Sequence, residues 1–360
     1  MQAFAHDPAE LFQVAGTSNR QGSVNPAGGE LAPSSQPDLF TPEPEPAPAS
    51  PDQTFFSGAN SGSMNPPPAD CRVAPPTAGA PAAAPKGWCW SPNSGNWWDG
   101  LSLFAGLDGS KQPQDLGVNA LMGGRASYNM GIPIVKDWGL GVQVGLGYNF
   151  SDNAVQVLHR LGVSDRRDQL FNTLGVFQRT DWGLNWSLAH DFLWESYYDD
   201  FQLSQWRGRI GYQVTATDEF GAWGTVRDSG DSGSVLGVPI HLQPIQMVNA
   251  FWRHIWSSSA WTTFWIGAAH EHGRFVLVLP DQPPVRNAFT YGADLQIPLN
   301  DYLAIYGEAN FITPASSGTV DAYLGFTFYP GGGAHNALQK RFAPLLPVAS
   351  NTSFAVDLPR

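Results

Sequence analysis

Charge is scarce in this chain. Asp, Glu, Lys and Arg together make up 14% of its 360 residues, against about 25% in an ordinary soluble domain. The charge present is mostly negative, net −12, and no basic stripe interrupts it. A nucleic-acid partner, which needs clustered Lys and Arg, is therefore excluded. Long apolar runs are missing too. Nothing approaches the roughly 18 consecutive apolar residues of a membrane-spanning helix. Cysteine occurs only twice, as Cys71 and Cys89. Two cysteines cannot build a disulfide scaffold and show no zinc spacing; they form one bridge closing a short loop or stand as two thiols. Residues 1–16 lack a basic start and an apolar core, so they do not read as a signal peptide. No cofactor fingerprint occurs anywhere.

Glycine, proline and tryptophan are abundant, and they are unevenly placed. Residues 1–96 hold 17 of the 30 prolines, whereas all 14 tryptophans fall between Trp88 and Trp265. The Pro/Ala/Ser-rich stretch of residues 1–87 buries too little apolar surface to offset its ordering entropy, and reads as a disordered segment. Residues 88–333 read as a folded β domain, and residues 334–360 as a C-terminal tail of mixed character.

The clearest pattern in the folded part is residues 138–150. Trp138, Leu140, Val142, Val144, Leu146, Tyr148 and Phe150 alternate with Gly139, Gly141, Gln143, Gly145, Gly147 and Asn149. A period of two is the signature of a strand, whose successive side chains point to opposite faces. Aromatics end the apolar face and aliphatics fill its middle, the order of a strand that crosses a bilayer. The same alternation recurs along the chain, in residues 116–130, 181–198, 204–217, 288–299, 302–312 and 320–329. Weaker or shorter strands are read at 101–108, 168–180 and 220–227. Residues 228–237 read as a loop, and 238–256 as one strand of a hairpin that returns over 260–270. The total is about twelve strands, an even number that suits antiparallel closure. These segments predict an all-β fold, an antiparallel up-and-down β-barrel of outer-membrane type.

The faces opposite the apolar stripes carry Arg125, Asp191, Glu195, Arg207, Arg209, Asp294, Glu308 and Asp321. A charge facing lipid costs about 2–4 kcal/mol at the bilayer midplane for Arg or Lys, whereas a charge inside a barrel meets water or an opposite charge. These eight residues therefore form a candidate pore lining or a salt-bridged plug. Trp138, Trp182, Trp194, Trp206, Trp256 and Trp261 form a candidate aromatic belt at the two interfaces. The alternative architecture is a soluble or peripheral periplasmic β-protein that binds a ligand or partner through Trp-rich surfaces. Its apolar face would be a dry core, in which so many indole N–H groups would each need an acceptor.

Catalytic and metal motifs are weak. Gly230-Asp-Ser-Gly-Ser234 is similar to a protease nucleophile loop, but the faint histidine partner, His270, lies on the wrong side of it, and a hairpin loop explains the glycines equally well. His270 and His272 share one strand face and could ligate a metal; exposed histidines at a strand end are the plainer reading. A barrel hydrolase would need a Ser/His pair at one rim, and no spacing signals one. The chain therefore reads as a non-enzyme without cofactor. Its partners are the lipid bilayer and, through the lumen, small solutes or ions; its oligomeric state is open.

Several runs carry a resemblance: GSKQPQDLGVN (residues 109–119), NFSDNAVQV (149–157), FQRTDWGLNW (177–186), YYDDF (197–201), FWRHI (251–255), LNDYLAIYGEANFITP (299–314) and YPGGG (329–333). With the tail at residues 344–358, they are similar to an uncharacterised family of planctomycete envelope proteins. The resemblance spans about residues 88–360 and implies an envelope protein of unassigned activity, with no catalytic residues to carry over. Unlike ordinary outer-membrane barrels, which finish on an aromatic-ended strand, this chain continues for about thirty residues beyond Tyr329. The expectation is an outer-membrane or cell-envelope location and a passive pore or a structural role.

Overall fold

The computed structural model describes residues 97–115, 120–153, 166–235, 237–272, 285–313 and 319–358. The chain divides into two units, Met1–Met64 and Asn65–Arg360, and every described residue lies in the second. Cys71 and Cys89 lie outside the described residues, as does the Pro-rich segment.

Fifteen strands occur among the described residues. Twelve of them close into an antiparallel barrel: β1 (Leu101–Lys111), β2 (Leu121–Val135), β3 (Leu140–Asn153), β4 (Arg166–Arg179), β5 (Leu184–Ser196), β6 (Asp200–Gln213), β7 (Asp218–Ser229), β10 (Gln246–Ile255), β11 (Trp261–His272), β12 (Val285–Pro298), β13 (Leu303–Thr313) and β14 (Val320–Phe328). Each wall strand pairs with the next wall strand in sequence, β7 with β10 across the excursion that intervenes, and β1 pairs with β14 from Leu103↔Phe328 to Lys111↔Val320 to seal the wall. Closure leaves no unpaired sheet edge.

The short turns gather at one end of the barrel. They are residues 136–139, 180–183, 214–217, 256–260 and 299–302, and we call this the turn end. Gly139 and Gly183 occupy the left-handed region there, at φ 63° and 98°, which glycine enters without a Cβ clash. The longer connections leave from the opposite, loop end, where β5 and β6 are joined by a further short turn, residues 197–199.

Two expectations change. Residues 238–256 are not one strand: β9 (Val238–Pro244) ends before β10 begins at Gln246. Pro239 and Pro244 have no N–H to give to a barrel ladder, and β9 turns away from the wall. The stretch expected as a loop supplies its partner, β8 (Asp231–Val235), in register from Asp231↔Leu242 to Val235↔Val238. With β15 (Val356–Asp357), which pairs with Pro244 and Gln243, they form a separate three-stranded sheet at the loop end. In addition, β2 begins only at Leu121, because its expected start falls on 116–119, outside the described residues.

The alternation of residues 138–150 runs through the wall as the period of two requires. Gly141, Gln143, Gly145, Gly147 and Asn149 face inward and are buried, while Tyr148 and Phe150 are exposed on the outside. The outer face as a whole is apolar, with Leu107, Met122, Ile132, Leu174, Leu188, Ile210, Val248, Ile266, Leu324 and Phe326 all exposed. Among the described residues no Asp, Glu, Lys or Arg lies on this face between the rims. Arg166, Asp168 and Asp228 border it at the loop end and Asp218 at the turn end. From Leu140 to Phe150 the strand climbs about 33 Å at ~3.3 Å per residue. At a tilt of about 35–45° that becomes a band about 25 Å tall, the height of a bilayer-spanning barrel surface.

A buried apolar cluster closes the loop end from within. It joins Phe171, Leu193, Phe201 and Leu203 of the wall to Val235, Ile240 and Leu242 of the small sheet and to Phe354, Val356 and Leu358.

Candidate functional site: an occupied lumen

Residues 334–358 leave the last barrel strand at the turn end, enter the lumen and reach the loop end, where β15 joins the small sheet. From Leu345 to Leu358 almost every side chain is buried. A segment with little secondary structure carries unpaired backbone groups, and these need partners once water is excluded. Wall side chains provide them. Asn129 and Gln143 donate to the Leu346 carbonyl at 2.9 and 2.7 Å. Arg125 donates to the carbonyls of Val348 and Ala349 at 3.2 and 3.1 Å. Arg207 donates to the Pro347 carbonyl at 2.8 Å and to Ser353 Oγ at 3.1 Å. Thr173 accepts the Ala349 N–H, and Gln205 donates to the Ser353 carbonyl, each at 2.9 Å. At the turn end Arg179 holds the carbonyls of Leu338 and Ala343.

The inward glycines provide the room. A Cβ at Gly145 would stand 2.7 Å from Val348 Cγ2, and one at Gly131 would stand 2.0 Å from the Phe342 carbonyl oxygen. The small side of the 138–150 repeat is thus the surface on which the segment lies.

The eight inward charges fall into linked groups. Asp191 pairs with Arg207 at 2.9 Å, and both are fully buried. Glu195 pairs with Arg167 at 2.8 Å, and Asp115 approaches the same guanidinium at 3.7 Å. Asp321 accepts from Gln112 at 3.2 Å. Glu308 accepts from Tyr323 at 2.7 Å, Tyr306 at 3.0 Å and Thr352 of the lumen segment. Nearer the turn end Arg209 pairs with Glu219 at 3.0 Å, and Arg253 lies 3.4 Å from Glu219 and 4.0 Å from Asp294. Arg125 holds the segment's carbonyls and lies 4.7 Å above the Tyr323 ring.

Asp115 sits outside the wall strands, in the 3₁₀ turn Pro113–Asp115. Burial pushes its carboxyl up to about 7, against the opposing pull of Arg167 and of the Gln112 N–H.

Arg167, Arg179, Arg253, Glu219 and Asp115 also belong to this interior and were not singled out from sequence. Arg253 follows Asn249 and Phe251 at the inward period, so its alternation was available. Arg167 lies one residue before the stretch read as strand. The polar run Ser350 to Ser353 has no periodicity to mark it.

Of the six tryptophans expected in the belt, five are on the outer face and one is not. Trp138, Trp182, Trp194, Trp206 and Trp256 are exposed on the outer face, Trp138 at 66%. Trp261 points inward and is 7% exposed, with Arg253 4.8 Å from its ring centroid. The register explains this. Trp256 faces Ala260 across the turn, whereas Trp261 pairs with inward-facing Ile255 and shares its side of the sheet.

His270 lies exposed on the outer face and contacts Asn287 at 3.1 Å; the side chain of His272 falls outside the described residues. No group of metal-ligating side chains occurs among the described residues. The loop rim does bring Ser232 Oγ to within 2.9 Å of His241 Nδ1, across the β8–β9 hairpin. Among the described residues no carboxylate contacts that imidazole, so nothing orients it as a base. The candidate functional site is therefore the lumen, a polar wall already engaged by the chain's own segment.

A family model matches residues 100–356, which takes in the whole barrel and the lumen segment. The chain belongs to the family of unknown function DUF6666. No curated protein matches it. Solved structures with a similar fold include the translocator domain of the autotransporter NalP from Neisseria meningitidis, at 13% identity and TM-score 0.42, covering 64% of this chain and 89% of that one. The KdgM porin is similar at 9% identity and TM-score 0.34, covering 63% and 98%. Outer membrane phospholipase A from Escherichia coli is similar at 8% identity and TM-score 0.37, covering 66% and 93%. These likenesses are too distant to carry an activity across.

Proposed function

We propose that this DUF6666 chain is an outer-membrane barrel of the planctomycete cell envelope that works closed, as a structural envelope protein rather than an open passive pore. The supporting observation is the occupied lumen: residues 345–358 are buried and bonded to Arg125, Gln143, Gln205 and Arg207 of the wall. A passive pore needs that space for water and solute. The bilayer is the partner of the outer surface. A charge-free apolar band bordered by Trp138, Trp182 and Trp256 at the turn end and by Trp194, Tyr148 and Phe150 toward the loop end is stable in lipid, and in water it would be an adhesive patch. Purified full chain in SDS should migrate differently with and without boiling, and in a planar bilayer it should insert without steady conductance. Stable nanosiemens steps from the unmodified chain would refute closure, and solubility in plain buffer without detergent would refute the membrane barrel.

A further inference from the structure

The lumen segment and the wall around it differ in chemistry. Phe342 to Val356 carries no charged residue, so no ion pair ties that stretch to the barrel. The wall beside it is polar, with Arg125, Gln143, Thr173, Gln205 and Arg207 buried against it. The ion pairs of that wall close within the wall: Asp191 with Arg207, Glu195 with Arg167, Glu219 with Arg209. The polar contacts that cross to the segment are hydrogen bonds, most of them to its main chain, together with those of Asn351 to Asp108 and Thr352 to Glu308. Water can take the place of each. A barrel filled for good would gain from an apolar lining, because well-packed apolar side chains are often more stable than the buried ion pairs they replace. Here, instead, Asn149 is buried with neither amide atom hydrogen-bonded, and Gln205 Oε1 and Arg125 Nε have no partner among the described residues. Water in an emptied lumen removes that cost. Apolar packing of the segment is concentrated at the loop end. Phe354, Val356 and Leu358 join the buried cluster there, with the Phe354 ring 6.1 Å from that of Phe171.

We infer that residues 342–358 are a reversible gate. The segment leaves a wall that stays folded, and the emptied, polar lumen passes small hydrophilic solutes or ions. The wall does not need the segment for its own hydrogen bonding, since every wall strand has two strand neighbours and β1 closes on β14. Departure costs the small sheet one member, β15, whose two residues pair with Pro244 and Gln243. Such an element opens locally while the ladders around it hold. Phe354 is its latch, as the largest apolar side chain that the segment buries at the loop end. The inference rests on the closed lumen proposed above and adds that the closure can be undone.

The full chain carrying Cys71→Ser, Cys89→Ser, Gly145→Cys and Val348→Cys tests this in a planar bilayer. The Cβ of residue 145 would stand 3.5 Å from that of residue 348, within the range of about 3.5–4.5 Å for a disulfide. Oxidation therefore locks the segment to β3. Phe354→Ser, added to the same chain, loosens the latch. Oxidised, this chain should be silent; reduced, it should show conductance steps that vanish on reoxidation. Its heat-dependent mobility in SDS should be the same in both states. The chain that keeps Phe354 should behave alike in urea below the concentration that abolishes the mobility shift, so a folding defect of Phe354→Ser does not decide the outcome. Silence of both chains when reduced, equal conductance in the two redox states, or loss of the mobility shift on reduction overturns the gate and leaves a closed barrel. Failure of the bridge to form, or steady conductance from the unmodified chain, refutes the closed lumen itself and the gate with it.

Discussion

The packing of the lumen segment on the glycine face of β3 makes a sharp prediction at Gly145. The substitution Gly145→Ala places a Cβ 2.7 Å from Val348 Cγ2 and 3.3 Å from Asn129 Oδ1. The first distance is well inside van der Waals contact, and neither neighbour has far to move, because Val348 is buried and its carbonyl is held by Arg125. Overpacking of this kind costs about 1–3 kcal/mol. Val348→Ala removes the Cγ2 methyl and leaves a small void, at a cost of about 1–2 kcal/mol on the scale of core truncations. The two changes relieve one another, since the nearest remaining atom of residue 348 is its Cβ, at 3.5 Å from the new methyl. The double variant should therefore be more stable than the sum of the single losses by about 1–2 kcal/mol, within the range measured for contacting pairs. Urea unfolding of the four proteins in lipid vesicles, followed by tryptophan fluorescence, gives the cycle. If Gly145→Ala is neutral, or if the losses simply add, the segment does not lie on this wall.

Three further predictions follow from the interior and the belt. Arg207→Met leaves Asp191 buried without its 2.9 Å partner and frees the Pro347 carbonyl, so it should cost about 3–5 kcal/mol in urea unfolding, much of it recovered by adding Asp191→Leu. Asp115 holds its proton up to about pH 7 when folded, but only to its ordinary value of 3.8 when exposed, so the native state binds the extra proton between the two. Its contribution is thus present at low pH and lost as pH rises through that window; unfolding midpoints should fall from pH 4 to pH 7, and Asp115→Asn should flatten that slope. Brominated lipids should quench a chain whose sole belt indole is Trp138, exposed at 66%, far more than one retaining only Trp261, exposed at 7%.

Most of the wall was legible from sequence, because a strand in a closed barrel obeys a local rule. Each residue faces lipid or lumen according to parity alone, so Trp138 to Phe150 could be sorted without knowing their neighbours, as could Arg125, Arg207, Glu308 and Asp321. Parity does not carry through a turn of unknown register, which is why Trp261 was placed beside Trp256 on the outside. Pro244 was visible, but its consequence, a strand leaving the wall to build a separate sheet with β8, depends on pairing distant in sequence. The lumen segment was least legible. Residues 334–355 have no period because their partners are mostly side chains of the barrel wall, from β2, β3, β4 and β6 among others, and only Val356 and Asp357 pair with a strand. The sequence by itself determined a charge-poor barrel with an apolar outside and a polar, glycine-rich inside. Only the tertiary structure decided that the inside is occupied, since the match of Gly145 to Val348 and of Arg207 to Pro347 exists only once residues some 200 and 140 positions apart are brought together.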